Sequence, residues 1–264
     1  MKAPPPESSS WSTYLQRFHA ERPGITERIL DRCRAAELDP YQWCADGLTD
    51  GPGPLLDLAC GSGPMADRRP KWIGVDTSQQ ELGLACDRQR GPVMLASASC
   101  LPIRTRSLHS AVCSMSMQII DPFADALSEL ARVLTHGGRA VLLLPANGPV
   151  PWRHAVVYGR LQVALRRRIR YPNDGALRSG PLHASLAGVG LAVVRDERLA
   201  FTLPLDREAD VADLLASMYL PGVEPRRLDA GRRVLAGSIG RQLTVPLRRI
   251  VIDRTRLDEA GASP

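Results

Sequence analysis

Residues 55–66 read LLDLACGSGPMA, an apolar run broken by one acid, Asp57, before a turn through Gly61 and Gly63. The glycines permit a sharp turn and let a ligand approach the backbone. Pro64 stands where a first helical turn has no use for its own N–H. The stretch therefore reads as strand, tight turn and helix start. Its spacing alone fits the dinucleotide pattern G-x-G-x-x-G/A, but the acids around it do not. Asp57 lies four residues before the first glycine, at the end of the strand, where it repels a pyrophosphate and attracts an ammonium group. The next strand-end acid, Asp76 in WIGVDTS, follows Gly63 by 13 residues, whereas a dinucleotide fold places it roughly 20 residues on. An acid there can accept both hydroxyls of a ribose. No G-x-x-x-x-G-K-[ST] occurs, which excludes a P-loop.

Outward from this loop the pattern alternates. Strand-like segments at 55–59, 72–76, 93–98, 110–115 and 139–145 are separated by helical stretches near 64–69, 78–88 and 122–134. Thr26 reads as a cap for a helix carrying Ile29, Leu30 and Cys33, and Gly137-Gly138 as the end of the helix at 122–134. Strands alternating with helices predict a parallel, doubly wound α/β sheet. Further on, a helix near 181–188, a strand or bent pair at 190–203, helical stretches at 209–220 and 226–237, and a strand at 244–253 predict an antiparallel pair at the sheet edge. At helical spacing Leu161, Leu165 and Ile169 share a face, so the run RRRIR at 166–170 reads as part of an amphipathic lid helix.

Composition narrows the class. The 264 residues carry a formal charge of +6 with a sequence pI near 9.3, and only Lys2 and Lys71 are lysines. The basic residues are spread along the chain, and aromatics beside the arginine run are scarce, which argues against nucleic acid as partner. No run of about 18 apolar residues occurs, and MKAPPPESSS lacks the apolar core of a secretory signal. Six scattered cysteines without a C-x-x-C pair suit reduced thiols. These features predict a cytoplasmic protein with no membrane partner and no metal site.

LLDLACGSGPMA, WIGVDTS, SASCLPIRTRSLHSAVCSM and LSELARVLTHGGRAVLLLP occur in the order and spacing of the class I S-adenosylmethionine-dependent methyltransferases. The chain resembles that family over roughly residues 50–200, and more loosely an actinobacterial small-molecule branch associated with secondary metabolism. The resemblance implies a mostly parallel, seven-stranded Rossmann-like sheet with helical cap inserts. S-adenosylmethionine is the implied cofactor and S-adenosylhomocysteine the product. It places Asp57 toward the methionine ammonium, and the backbone of Ala59, Cys60, Gly61 and Gly63 around the methionine and ribose. Asp76 falls on the ribose hydroxyls, Thr77, Ser97 and Ala98 beside the adenine, and Ser114 and Met115 beside the sulfonium. Ser97 and Ser110 stand where the family usually has acids, which removes an adenine contact and a structural hydrogen bond.

Around that core the expected organisation is a disordered tail at 1–10 and a helical cap at 11–50. The methyltransferase domain spans 51–254 with inserts at 146–180 and 206–240, followed by a tail at 255–264. His19, on a helix over the cofactor, and His154, beyond the fifth strand, are the candidate bases. Tyr14, Arg22, Trp152, Arg153 and Tyr158 are the candidate substrate contacts. The reaction expected is methylation of a small-molecule acceptor, on oxygen. An RNA methyltransferase and a non-methylating binder of the same cofactor are the alternatives. The oligomeric state stays open, with a homodimer among the forms expected.

Overall fold

The computed structural model describes residues 8–255. The expected segments 1–10 and 255–264 fall largely outside these residues, although α1 (Ser8–Glu21) already takes in positions 8–10. Two short helices follow, α2 (Ile25–Leu30) and α3 (Pro40–Ala45). Gly24, in the left-handed region at φ 72°, is the N-cap of α2, and Thr26 lies inside the helix rather than capping it.

Seven strands form one sheet: β1 (Leu55–Leu58), β2 (Trp72–Asp76), β3 (Val93–Leu95), β4 (Leu108–Ser114), β5 (Leu134–Pro145), β6 (Leu191–Leu205) and β7 (Arg241–Arg254). Their spatial order is β3-β2-β1-β4-β5-β7-β6. The first five run parallel, and β7 lies antiparallel between β5 and β6. The order reverses direction beside β1, and in open α/β sheets the crevice at such a switch point, outside the carboxyl ends of the strands, is where ligands bind. β1 is buried along its whole length, as expected when both sheet faces are covered.

Helix α4 (Gln79–Asp87) follows β2, and α5 (Phe123–Val133) follows β4. One core layer gathers Leu56, Leu58, Leu127, Leu130 and Leu142, and the other gathers Leu55, Val141, Leu143, Phe201 and Leu243. Successive residues of a strand thus point into opposite layers.

Four local expectations change. β3 stops at Leu95 rather than 98, because the Ser97 hydroxyl accepts the N–H of Ser99 and turns the chain away. The piece after the glycine loop is a single 3-10 turn, Pro64–Asp67. Gly137-Gly138 does not close a helix: α5 runs into β5 at Leu134, and the pair sits in an irregularity where the register to β4 shifts. There Gly137 has φ 74°, and a Cβ on Gly138 would lie 2.9 Å from the Thr135 carbonyl. Finally, α6 (Trp152–Ala164) ends before the arginine run, with Arg166 at φ 49°. Leu161 and Leu165 pack on α9 (Pro225–Ala236) at Gly231, where a Cβ would come within 3.1 and 3.0 Å of them.

Two other helices, α7 (Ser179–Ala187) and α8 (Glu208–Ala216), complete the fold. The N-terminal helices are fastened to the sheet by charge. The Arg249 guanidinium stacks 4.7 Å over Trp43, donates to the Trp43 carbonyl at 2.5 Å and pairs with Glu197.

Candidate functional site

A cavity of about 1050 Å³ opens at the carboxyl ends of β1, β2 and β4, under α1. The glycine loop forms its floor. Ala59 at φ 54°, Gly61 at φ 54° and Gly63 at φ 74° bring the backbone round tightly. Gly63 has no room for a side chain, since a Cβ would meet the Trp72 ring at 3.0 Å. Asp76 holds this loop in place: its carboxylate accepts the N–H of Gly61 at 2.8 Å and that of Ser78 at 2.8 Å. A carboxylate has about four acceptor positions, so those two bonds leave capacity for a ligand's hydroxyls. Burial raises the Asp76 carboxyl above the usual range, while the two backbone N–H groups oppose that rise. The cap of α4 is Ser78, whose side chain accepts the Glu81 N–H.

Asp57 is the more unusual acid. It is only 1% exposed. Its Oδ2 accepts the Trp72 indole N–H at 3.2 Å, and its Oδ1 has no partner. Burial pushes its carboxyl up to about 8, against the opposing Trp72 bond and with the nearby Asp76 charge adding to the rise. Buried polar groups are normally hydrogen-bonded, so an orphan carboxylate oxygen on a cavity wall has the chemistry of a cation site. The Ser114 hydroxyl, at the end of β4, is a second buried polar atom on this wall without a partner.

The charge of the lining is one-sided. Glu27, Asp57, Asp76, Glu81 and Asp121 border the cavity, and among the described residues no arginine or lysine does, although the chain carries a formal +6. Glu27 is neutralised from behind. Its carboxylate accepts the Ser62 hydroxyl at 2.5 Å and pairs with Arg88 and Arg90, which ties α2 to the glycine loop. Glu81 accepts the Gly24 N–H at 2.9 Å and holds His19 Nδ1 at 2.9 Å. His19 Nε2 lies 3.2 Å from the Tyr219 hydroxyl, and burial raises that phenol above its usual range. Three distant segments thus meet in one chain of hydrogen bonds on the cavity wall.

Of the residues expected at the cofactor, Asp57, Ala59, Cys60, Gly61, Asp76, Thr77, Ser97, Ala98, Ser114 and Met115 all line this cavity. Gly63 is not on the wall but supports the turn behind it. The Ser97 hydroxyl is bound within its own loop, 2.8 Å from that of Ser99. Ser110 makes a structural bond after all, donating to the Thr49 carbonyl at 3.0 Å.

The substrate expectations fare differently. His19 lines the cavity; His154 does not. His154 Nδ1 is bound to the Thr244 hydroxyl at 2.7 Å and accepts the Thr244 N–H, which fixes α6 on β7. Tyr158 serves the same joint, donating to the Thr244 carbonyl at 2.6 Å. Arg153 borders a separate hollow with His154, and Trp152 points into solvent. Tyr14 turns away from the cavity face of α1 and accepts the Leu220 N–H at 2.8 Å. Arg22, just past that helix, lies 5.1 Å over the Phe18 ring. The wall of α1 is instead Trp11, Leu15, Gln16 and His19. Trp11, Leu15, Ile119 and Tyr219 also belong to one apolar cluster, which makes that end of the cavity hydrophobic.

Glu81 had a sequence signal, since Ser78-x-x-Glu81 reads as a capping box, but its carboxylate is spent on Gly24 and His19 rather than on the cap. Tyr219 had none. Among the described residues no group of three His, Cys, Asp or Glu side chains is placed to hold a metal ion, and no helix is long and apolar enough to cross a membrane. The six cysteines are free thiols.

Residues 56–142 match a family model described as a methyltransferase domain. The chain is 29% identical over 209 residues to an uncharacterized 37.1 kDa protein in transposon TN4556 of Streptomyces fradiae, covering 69% of this chain and 58% of that protein. It is 33% identical over 126 residues to a probable 18S rRNA (guanine-N(7))-methyltransferase of Dictyostelium discoideum, covering 41% and 42% respectively. The chain thus spans about half the length of the curated relatives it matches. The [4+2]-cyclase SpnF superimposes with a TM-score of 0.57 at 18% identity, covering 91% of this chain and 95% of that one. A geranyl diphosphate C-methyltransferase from Streptomyces coelicolor A3(2) gives 0.53 at 16% identity, covering 96% and 100%. At these identities the likeness is one of fold.

Proposed function

We infer that this chain, which has the class I methyltransferase fold and carries a methyltransferase domain, is an S-adenosylmethionine-dependent methyltransferase acting on a small, uncharged acceptor in the cytoplasm. The observation that carries the reading is the lining of the main cavity, which has carboxylates, an orphan oxygen on Asp57 and, among the described residues, no arginine or lysine. Such a wall disfavours a dinucleotide, a nucleoside triphosphate or a phosphorylated acceptor. It favours a ligand bearing an ammonium and a sulfonium.

In this reading Asp57 Oδ1 would take the ammonium and Asp76 the ribose hydroxyls. The backbone from Ala59 to Gly61 would follow the chain between them. Thr77, Ser97 and Ala98 would border the base, and Ser114 and Met115 the sulfonium. When bound, the cofactor supplies an electrophilic methyl group. The protein's task is then to hold the acceptor at near-attack distance, and the apolar end formed by Trp11, Leu15, Ile119 and Tyr219 would do so while excluding water.

His19 would be the base for a hydroxyl acceptor. With Nδ1–H donating to Glu81, Nε2 is left as the acceptor, facing Tyr219. A proton leaving the acceptor hydroxyl would reach Nε2 directly or through the Tyr219 hydroxyl. Once an acceptor is in hand, His19→Gln should lower kcat by about 100-fold or more while cofactor affinity stays unchanged. An unchanged kcat would remove His19 from the mechanism.

Two arms test the main reading. Calorimetry with S-adenosylmethionine and S-adenosylhomocysteine should show binding where NAD shows none. Incubation with metabolite extracts should yield S-adenosylhomocysteine and a product heavier by one CH2. The Dictyostelium relative supports RNA as a second acceptor class, and methylation of total RNA rather than of metabolites would establish it. Binding without turnover on either would leave the non-methylating alternative.

A further inference from the structure

Helix α6 has a face that the fold leaves uncovered. Leu161 is fully buried against α9, while on the opposite side of the helix Trp152, Val156 and Val163 are 80%, 46% and 77% exposed. At helical spacing these three fall with the exposed Ala155 and Gly159 in a sector about 100° wide. Hydrophobic side chains scattered singly over a surface need no explanation, but a contiguous stripe marks an interaction site.

One border of the stripe is cationic. Arg153 and Arg160 line one side of it, Arg166, Arg168 and Arg170 follow it, and residues 152–170 contain no acid. Some arginines elsewhere in the molecule find carboxylates, as Arg32 does with Asp210, Arg139 with Asp253 and Arg248 with Asp196. Among the described residues none of Arg153, Arg160, Arg168 and Arg170 forms an ion pair. Arg166 shares the field of Glu224, and Arg167 donates to the Pro221 carbonyl. What distinguishes these arginines is their place: without a carboxylate partner, they stand beside an exposed tryptophan and two exposed valines.

We propose that α6 and the run at 166–170 form a docking surface for an anionic lipid bilayer. Trp152, Val156 and Val163 enter the boundary between headgroups and acyl chains, and the flanking arginines lie among the lipid phosphates. Charge decides between this and other occupants. A second copy of the chain on a twofold axis would bring like-charged flanks together. Single-stranded RNA would need a succession of stacking rings, and here Trp152 stands alone. The run leads into Pro172 and Asn173, which line the main cavity, so docking would turn one rim of that cavity toward the bilayer. The proposal rests on this surface and does not depend on the cofactor.

Tryptophan fluorescence is a local probe here, because Trp11, Trp43 and Trp72 are 8%, 7% and 3% exposed. The full chain is mixed with vesicles of phosphatidylcholine alone and of phosphatidylcholine and phosphatidylglycerol in equal parts. The expected result is a blue shift and co-sedimentation with the anionic vesicles only, weakened by salt. The triple variant Trp152→Ala, Val156→Ala, Val163→Ala should bind them about tenfold more weakly or worse. Arg153→Glu with Arg160→Glu, which leaves the tryptophan probe in place, should abolish the preference for anionic lipid. Both variants should keep the wild-type melting temperature, since the altered side chains are exposed. Three results would overturn the proposal: no binding to anionic vesicles, binding unchanged in both variants, or a self-association or RNA complex that consumes this face while vesicles are ignored.

Discussion

Asp57 shows how one residue reports on what a cavity was built to hold. Its carboxyl is pushed up to about 8 by burial, so without a cation beside it the folded protein keeps it protonated at neutral pH. An aspartate in the unfolded chain titrates near 3.9. The stability from this proton is therefore fully present below about pH 4 and lost as pH rises through about 8, at up to about 1.4 kcal/mol per unit. Urea denaturation of the cofactor-free protein from pH 5 to 8 should show stability falling with pH. Asp57→Asn should flatten that slope, and an equal slope in the variant would assign the effect elsewhere. Asp76 differs in kind, because two backbone N–H groups already favour its charged form. One acid is left wanting a cation while the other doubles as a brace for the glycine loop.

Among the elements, the cap and the loop are joined by buried charge. α2 reaches the glycine loop through Glu27, which is 5% exposed and shared between Ser62, Arg88 and Arg90. Removing one partner of a buried pair leaves the other uncompensated. Glu27→Gln should cost about 3 kcal/mol of unfolding free energy, read by chemical denaturation; a loss below about 1 kcal/mol would mean that water replaces the pair. The α6–α9 contact is held by packing alone. Leu161→Ala, at a fully buried position, should cost about 3 kcal/mol without changing cofactor affinity, because nothing on α6 lines the main cavity. The displacement of His154 belongs to this scale too. A strand that ends near a pocket suggests that the next helix borders it, yet Thr244 on β7 captures both His154 and Tyr158 and carries α6 away.

Across the whole molecule, the parallel half of the sheet was legible because alternation and strand-end acids are local signals. LLDLACGSGPMA and WIGVDTS supply the floor of the cavity, with Gly63 behind the wall rather than on it, and the antiparallel edge followed from the missing crossover helices. The roof was not legible. His19, Glu81 and Tyr219 converge from α1, α4 and the segment after α8, and no local pattern records that Tyr219 returns to a helix 200 residues earlier. Tyr14 and Arg22 are expected substrate contacts, whereas the turn of α1 gives the wall to Trp11, Leu15 and His19. The basic charge of the chain was equally misleading at a distance. It lies away from that wall, most densely in the run at 166–170, while among the described residues the charged groups on the wall are acids apart from His19. In the proposed function that separation suits the cavity to a cationic cofactor. Titration calorimetry of S-adenosylhomocysteine, which keeps the ammonium and ribose, tests it most directly against Asp57→Asn. The expected result is binding to the wild type and affinity at least about tenfold weaker in the variant. No binding at millimolar ligand, or equal affinity in the two proteins, would contradict it.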